Sequence, residues 1–358
     1  MYHLVAILGV AAVTVSVVPM AHAKELPALP EVDGSALIPV QEWPHAPGAR
    51  QAKVYVRYPG GRLDQVGAGT GLMLTLHNWG GTDWDGAADP EMLANRYDVV
   101  AISVDYLQSG AYDPETHPPY DFGYLQALDA LRALYWVSRG LEIRGKPFAK
   151  GRIFATGGSG GGNVALMSNK LAPRTFACII DMCGMARLTD DIAFGLSGGS
   201  RLNAGYRQHP DDPRYLSPDA QGLRFVGHPQ HLSTMRRLGN TARIVVVHGT
   251  ADDVCPVKDA REMIATMQAA GLDVEAHLIG EGDCDGEVFT GTGHSLGDRT
   301  RIARRFADKY IAADSPDAVA LEGRTDFERR QDIRYRTRNG SFVISYRQGF
   351  PTARFEHD

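Results

Sequence analysis

The chain has 358 residues, 44% hydrophobic and 22% charged, so it can bury a sizeable core as one large domain. Its formal net charge of -5 offers no basic surface for nucleic acid, and that class of partner is excluded.

Residues 4–18 are apolar and uncharged, and Ala21-His22-Ala23 presents a small-x-small cleavage pattern before Lys24. This predicts a secretory signal peptide over residues 1–23 and a secreted or periplasmic protein, although the leading segment carries His3 and no Lys or Arg. An uncleaved membrane anchor needs about 20 apolar residues, more than this run supplies, so no stable membrane insertion is expected.

From Lys24 to Ala49 the chain is rich in proline and small apolar residues and is expected to wrap the surface without regular structure. Residues 52–58 alternate as a half-exposed strand, and Leu72-Met73-Leu74-Thr75-Leu76 reads as a buried one. It runs into His77-Asn78-Trp79-Gly80-Gly81. Val99–Asp105 is the next buried strand, and Leu125, Leu128, Leu131, Leu134 and Tyr135 define an amphipathic helix over 124–138. Further strands are read at 152–157, 176–182, 244–247 and 274–279, with helices at 164–171, 257–270 and 299–310. Strands alternating with helices predict an α/β fold: a mostly parallel central sheet covered by helices on both faces.

Two segments depart from that rhythm. Residues 184–240 hold Gly198-Gly199, Pro210, Pro213, Pro218 and Pro229 with little periodicity, and read as a lid or cap inserted in the domain. Residues 313–358 form a C-terminal extension in which Ile333, Tyr335 and Thr337 alternate with arginines before Asn339-Gly340, a hairpin signal. That hairpin would either cap a sheet edge or mediate dimerisation. The catalytic domain is thus placed at 24–312, and no feature of the sequence specifies an oligomeric state.

Gly157-x-Ser159-x-Gly161 lies between an apolar strand and an apolar helix, the setting of a nucleophile elbow that pushes a serine hydroxyl into the open. A P-loop would need Gly-Lys-Ser/Thr where Gly162-Asn163 stands, and a dinucleotide fingerprint would need glycine or alanine at Asn163. A serine hydroxyl becomes a nucleophile only when a base takes its proton and a third group holds that base in the right tautomer. Downstream, His248-Gly249-Thr250-Ala251-Asp252-Asp253 offers Asp252 as the acid, with Asp253 as its rival. Gly293-His294 then offers His294 as the base, in the order Ser, Asp, His. His248 and His277, at or inside strands, read as core or supporting residues. The oxyanion needs two aimed donors: the N–H of Gly160 and, from the turn after the earlier strand, that of Trp79, with Asn78 or Gly80 as alternatives.

Cys178, Cys183, Cys255 and Cys284 allow three full pairings in an exported protein; a Cys255–Cys284 bridge would tie the acid loop to the histidine loop. No C-x-x-C occurs, and neither His228-x-x-His231 nor Asp283-x-Asp285-Gly286-Glu287 completes a recognised site. Neither a cofactor nor a metal is therefore expected.

With the His77 turn, Gly157-Gly158-Ser159-Gly160-Gly161, His248-Gly249-Thr250-Ala251-Asp252 followed by Pro256, and Gly293-His294, residues 50–312 resemble the α/β-hydrolase superfamily. Within it they resemble the prolyl oligopeptidase and dienelactone hydrolase type. The resemblance implies an eight-stranded sheet, an acyl-enzyme on Ser159 and a small ester or short peptide as substrate. Asn78 departs from the glycine usual in the oxyanion turn, and the stretch before the first strand is too short for the propeller that gates oligopeptidases of this group. Ester hydrolysis is the leading expectation. Cleavage of short peptides is the alternative, and a binding protein that keeps the fold without turnover is the reading from another class.

Overall fold

The computed structural model describes residues 26–358, so the signal peptide expected over 1–23 lies outside the described residues. The central sheet is built from β1 (Gly34–Val40), β2 (Arg50–Arg57), β3 (Gly71–Leu76), β4 (Val99–Asp105), β5 (Ile153–Gly158), β6 (Cys178–Met182), β7 (Arg243–Gly249) and β8 (Val274–Ile279). Their spatial order is β1-β2-β4-β3-β5-β6-β7-β8. The pairs β1–β2 and β2–β4 are antiparallel, and the sheet is parallel from β4 to β8.

The helices are α1 (Pro90–Tyr97), α2 (Tyr124–Ile143), α3 (Gly160–Leu171), α4 (Asp190–Phe194), α5 (Pro218–Leu223), α6 (Pro229–Leu238), α7 (Val257–Ala269), α8 (Arg299–Tyr310) and α9 (Asp326–Arg329). The inner strands β3 to β7 are almost wholly buried because helices cover both faces. Successive side chains go to opposite sides: Leu72, Leu74 and Leu76 join the core under α2 and α3, while Met73 joins the one under α1 and α8. Among the described residues no helix is long and apolar enough to cross a membrane.

Two expectations need correction, and the open question of the cysteines is answered. The stretch before Ala49 is not irregular, since it supplies β1, which pairs with β2 from Gly34↔Val56 to Val40↔Arg50. Pro39 is tolerated there because β1 is an edge strand. The 184–240 insertion is partly helical, and Pro218 and Pro229, which read as breakers, stand in the first turns of α5 and α6, where a missing N–H costs nothing. All four cysteines are free. Cys255 is buried among Tyr120, Met185 and Val254, whereas the Cys284 thiol donates to Gly280 O.

The C-terminal extension forms a three-stranded antiparallel sheet, β9 (Asp332–Arg336), β10 (Gly340–Ser345) and β11 (Thr352–His357), with β10 in the middle. It is a sheet separate from the main one, and Gln41, just past the edge strand β1, bonds both backbone groups of Ala353 in β11 at 2.8 Å. Ile333, Tyr335, Phe342, Ile344 and Tyr346 merge with the core of α2 and α3, and Tyr346 Oη donates to Leu171 O at 3.0 Å. Asp326 is buried and accepts from Arg174 Nε at 2.6 Å and Arg174 N at 2.8 Å, which fastens the extension to the α3–β6 connection.

Candidate active site

β5 delivers the chain to Ser159, whose backbone sits at φ 54° and ψ -120° before α3 begins at Gly160. A side-chain-bearing residue at such dihedrals carries strain of about 1–3 kcal/mol, which the surrounding structure must enforce. Here the enforcement is close packing. A Cβ on Gly161 would fall 2.0 Å from Leu76 O, and one on Gly160 would fall 2.7 Å from Trp79 N, so α3 can begin against the end of β3 only with glycine at both. Ser159 N–H donates to Met182 O at 2.9 Å, and Ser159 O receives Asn163 N–H at 3.1 Å. The residue is 9% exposed.

The close approach of Gly160 and Trp79 brings the two expected donors side by side. Asn78 N–H donates to Asp85 O at 2.9 Å, whereas the N–H groups of Trp79 and Gly80 have no acceptor among the described residues. The Trp79 ring stacks on Tyr120 at 3.5 Å and meets Tyr112 edge-on at 5.6 Å, so the turn is fixed by aromatic packing.

Asp252 follows β7 in a tight turn. Its Oδ1 accepts N–H from Val254 at 3.0 Å and from Cys255 at 2.9 Å, and its Oδ2 lies 2.9 Å from His294 Nδ1. Asp253 is exposed, whereas Asp252 is buried. Ala251 N–H donates to Thr292 O at 2.9 Å, and this backbone bond ties the Asp252 loop to the His294 loop, as a Cys255–Cys284 bridge would have done. Burial pushes the Asp252 carboxyl up, but hydrogen bonds from His248 and His294 outweigh it and hold the group well below the usual carboxylate range. The His294 side chain keeps 21% of its surface exposed, so the cluster opens to solvent on the imidazole side.

One residue that sequence reasoning missed links the His294 loop to the Ser159 turn. Arg299, at the first position of α8, donates from Nη2 to His294 O at 2.7 Å and from Nη1 to Met182 O at 3.1 Å. Met182 O is also the acceptor of Ser159 N–H, so one guanidinium joins the two loops. A cation at a helix N-terminus opposes the helix dipole, and that is the signal which could have marked Arg299 in the sequence. Cys255, buried beside the acid, donates its N–H to Asp252 Oδ1 at 2.9 Å.

Among the described residues, Cys183, His248 and Asp252 are the group whose possible metal-ligand atoms lie within 4.8 Å of one another. His248 Nε2 sits 2.7 Å from Cys255 O and 3.3 Å from Asp252 Oδ2. Both neighbours are acceptors, so that nitrogen carries a proton and is a donor rather than a ligand. His228 and His231 stack at 4.1 Å, and Asp285 spends Oδ1 on the N–H groups of Glu287, Val288 and Phe289. His277 pairs with Glu275. A cleft of about 410 Å³ beside the C-terminal extension is lined by Lys150, Glu142 and Glu328, which pair with one another, and lies away from Ser159.

Residues 107–307, more than half of the chain, match the family described as "Protein of unknown function (DUF2920)". The chain belongs to the DUF2920 family. No curated protein matches this DUF2920 chain by sequence. Among solved structures, the acylaminoacyl peptidase of Pyrococcus horikoshii is similar, at 12% identity and a TM-score of 0.53 over 79% of this chain. The match spans 42% of that peptidase, less than half its length. The dipeptidyl peptidase 4 of Porphyromonas gingivalis matches at 14% identity and a TM-score of 0.48, over 77% of this chain and 35% of that one. Esterase 2 of Thermogutta terrifontis, phosphoramylated by tabun, matches at 16% identity and 0.47, over 78% and 94%. The fold of this DUF2920 member is the α/β-hydrolase fold.

Proposed function

We propose that this protein is an exported serine hydrolase that cleaves carboxylic esters through an acyl-enzyme on Ser159. What supports the reading is a strained serine at the elbow, an Asp252–His294 pair at 2.9 Å whose histidine loop is tied through Arg299 to the carbonyl that also receives Ser159 N–H, and Gly160 packed against Trp79 N.

In this mechanism His294 takes the Ser159 proton through Nε2 as Oγ attacks the ester carbonyl, while Asp252 holds Nδ1–H and stabilises the imidazolium that forms. The oxyanion is received by the N–H groups of Gly160 and Trp79, each worth about 3 to 4 kcal/mol in comparable sites. His294 then gives the proton to the departing alkoxide. Water deprotonated by the same imidazole attacks the acyl-enzyme, and the acid leaves with Ser159 restored. The 184–240 insertion serves as the cap, supported by one apolar cluster in which its Met185, Leu188, Ile192 and Tyr206 pack with Tyr120, Phe122 and Val254. Export rests on the apolar run and the Ala21-His22-Ala23 pattern.

Hydrolysis of short nitrophenyl esters by the wild type and by Ser159→Ala tests the proposal, with fluorophosphonate labelling alongside. Turnover and labelling are expected in the wild type alone, and equal ester rates in both proteins refute the mechanism. Rapid cleavage of aminoacyl or dipeptidyl amides with poor ester turnover would reassign the protein as a peptidase. An N-terminus at Lys24 in the exported protein tests the signal peptide.

A further inference from the structure

The Asp252 carboxylate faces two imidazoles. Its Oδ2 lies 2.9 Å from His294 Nδ1 and 3.3 Å from His248 Nε2, and the second nitrogen carries a proton that it shares with Cys255 O. His248 is 1% exposed and is anchored at the end of β7, so its ring has a fixed position from which to hold the acid. Hydrogen bonds from the backbone reach only Oδ1. His248 is thus the one side chain besides the candidate base that restrains Oδ2 among the described residues.

Behind His248 is a group with no partner. Asp181 is fully buried on β6, and among the described residues neither carboxyl oxygen has a hydrogen-bond partner, nor has His248 Nδ1. The β6–β7 register pairs Asp181 with Val246, and His248 stands two residues further along β7, so both side chains leave the same face of the sheet on neighbouring strands. Gly162 and Gly184 back the carboxyl, where a Cβ would fall 2.2 and 2.1 Å from Oδ1. The other charged or titratable groups around the pair are Asp252, Arg299, Cys183 and Cys255.

Burial pushes the Asp181 carboxyl up to about 7, against the opposing pull of His248 and Arg299. Burial also disfavours charge on His248, but its bond to Asp252 and the charge of Asp181 outweigh that and raise it. A buried carboxyl without a hydrogen-bond partner costs stability, so its presence behind the catalytic acid needs a different reason.

Resting on the serine hydrolase reading above, we propose that His248 is a positioning residue for Asp252, and that Asp181 acts through His248 to keep its Nε2–H aimed at the acid. As positive charge builds on His294 during attack, the carboxylate is drawn toward it, and the second imidazole keeps Oδ2 in line with Nδ1–H. No proton leaves the pair in this role. The Asp181–His248 couple retains its own, and only His294 exchanges one with substrate.

The test uses the full chain and nitrophenyl ester turnover, with fluorophosphonate labelling rates measured in parallel. His248→Leu removes the donor and is expected to lower kcat about 10- to 100-fold with KM within about twofold, the range seen when groups that orient catalytic ligands are removed. His248→Gln places an N–H near the Nε2 position and is expected to recover kcat to within about fivefold of wild type. Asp181→Asn should lower kcat in the wild type yet change nothing in the His248→Leu background, because its influence runs through the missing ring. Wild-type kcat and labelling in His248→Leu, equal damage in the Gln and Leu variants, or additive effects of the two positions would each overturn the inference while leaving the hydrolase reading intact. A wild type that neither turns over esters nor takes the label overturns both.

Discussion

Replacing Asp252 with asparagine isolates the electrostatic demand of the site, because the structure dictates how the amide must sit. Oδ1 accepts two backbone N–H bonds, from Val254 and Cys255, whose protons cannot move, whereas the donors at Oδ2 are the imidazoles of His294 and His248, which can change tautomer, so the amide oxygen settles at Oδ1 and the NH2 takes the place of Oδ2. The NH2 group then faces the Nδ1 of His294, formerly at 2.9 Å from an acceptor. Donor meets donor, and the imidazole relieves the clash by moving its proton to Nε2. In that tautomer Nε2 has no lone pair for the Ser159 proton, and catalysis loses its base. The same wrong-tautomer substitution in a serine protease lowers kcat about 10⁴-fold, or roughly 5 kcal/mol at 1.36 kcal/mol per decade. Asp252→Asn is expected to fall by that order in nitrophenyl ester turnover at pH 7, with little change in KM, while Asp253→Asn, altered at an exposed position, keeps wild-type rates. A loss in Asp252→Asn of less than about tenfold would refute the assignment of this carboxylate as the acid. Stability supplies an independent readout. The folded carboxyl titrates below its unfolded value, so its contribution is complete above the unfolded pKa and disappears as pH falls through the folded one. The variant should therefore be less stable than wild type at neutral pH, and the gap should close in strong acid.

Gly160→Ala would place a Cβ 2.7 Å from Trp79 N and push the two oxyanion donors apart; a loss in kcat of about 10²- to 10³-fold without a matching rise in KM is expected from ester kinetics. Arg299→Met breaks both bonds that join His294 O to Met182 O, and at about 1.5–3 kcal/mol for a charged hydrogen bond should reduce kcat at least tenfold in a protein whose circular dichroism is unchanged. For Asp181→Asn the sign of the pH effect runs the other way from Asp252. Between the unfolded value of 3.8 and the folded value of about 7 the unfolded chain has released a proton that the folded chain keeps, so wild-type stability falls as pH rises through that window. The variant is accordingly expected to gain over wild type on the order of 2 kcal/mol more at pH 8 than at pH 5 in urea unfolding. Asp326→Ala strands the buried Arg174 guanidinium and should cost about 3–5 kcal/mol in the same measurement, leaving the ester turnover of folded protein unchanged.

Local chemistry was legible because each motif is held within a few residues. The Gly157-x-Ser159-x-Gly161 bend needs its own glycines, the Asp252 turn closes on the N–H groups two and three residues ahead, and apolar runs such as Leu72–Leu76 report burial on both faces. What escaped had ambiguous local signals. β1 is an edge strand containing a proline, α5 and α6 open on prolines that read equally well as turns, and β11 is half exposed.

By itself the sequence determined the α/β class, the order of the parallel strands, and a serine, an aspartate and a histidine in an order suited to one chemistry. The tertiary structure decided which atoms meet. It buried Asp252 and set it against His294 while leaving Asp253 exposed, it engaged Asn78 N–H with Asp85 O while leaving Trp79 N–H without an acceptor among the described residues, it tied the two loops through the Ala251–Thr292 backbone bond, and it gathered Arg299, His248 and Asp181 from three separate elements. The division has a physical cause. Periodicity and turn chemistry are written in neighbouring residues, whereas hydrogen bonds between loops more than 40 residues apart, such as Asp252 to His294, depend on how the strands that carry them are stacked.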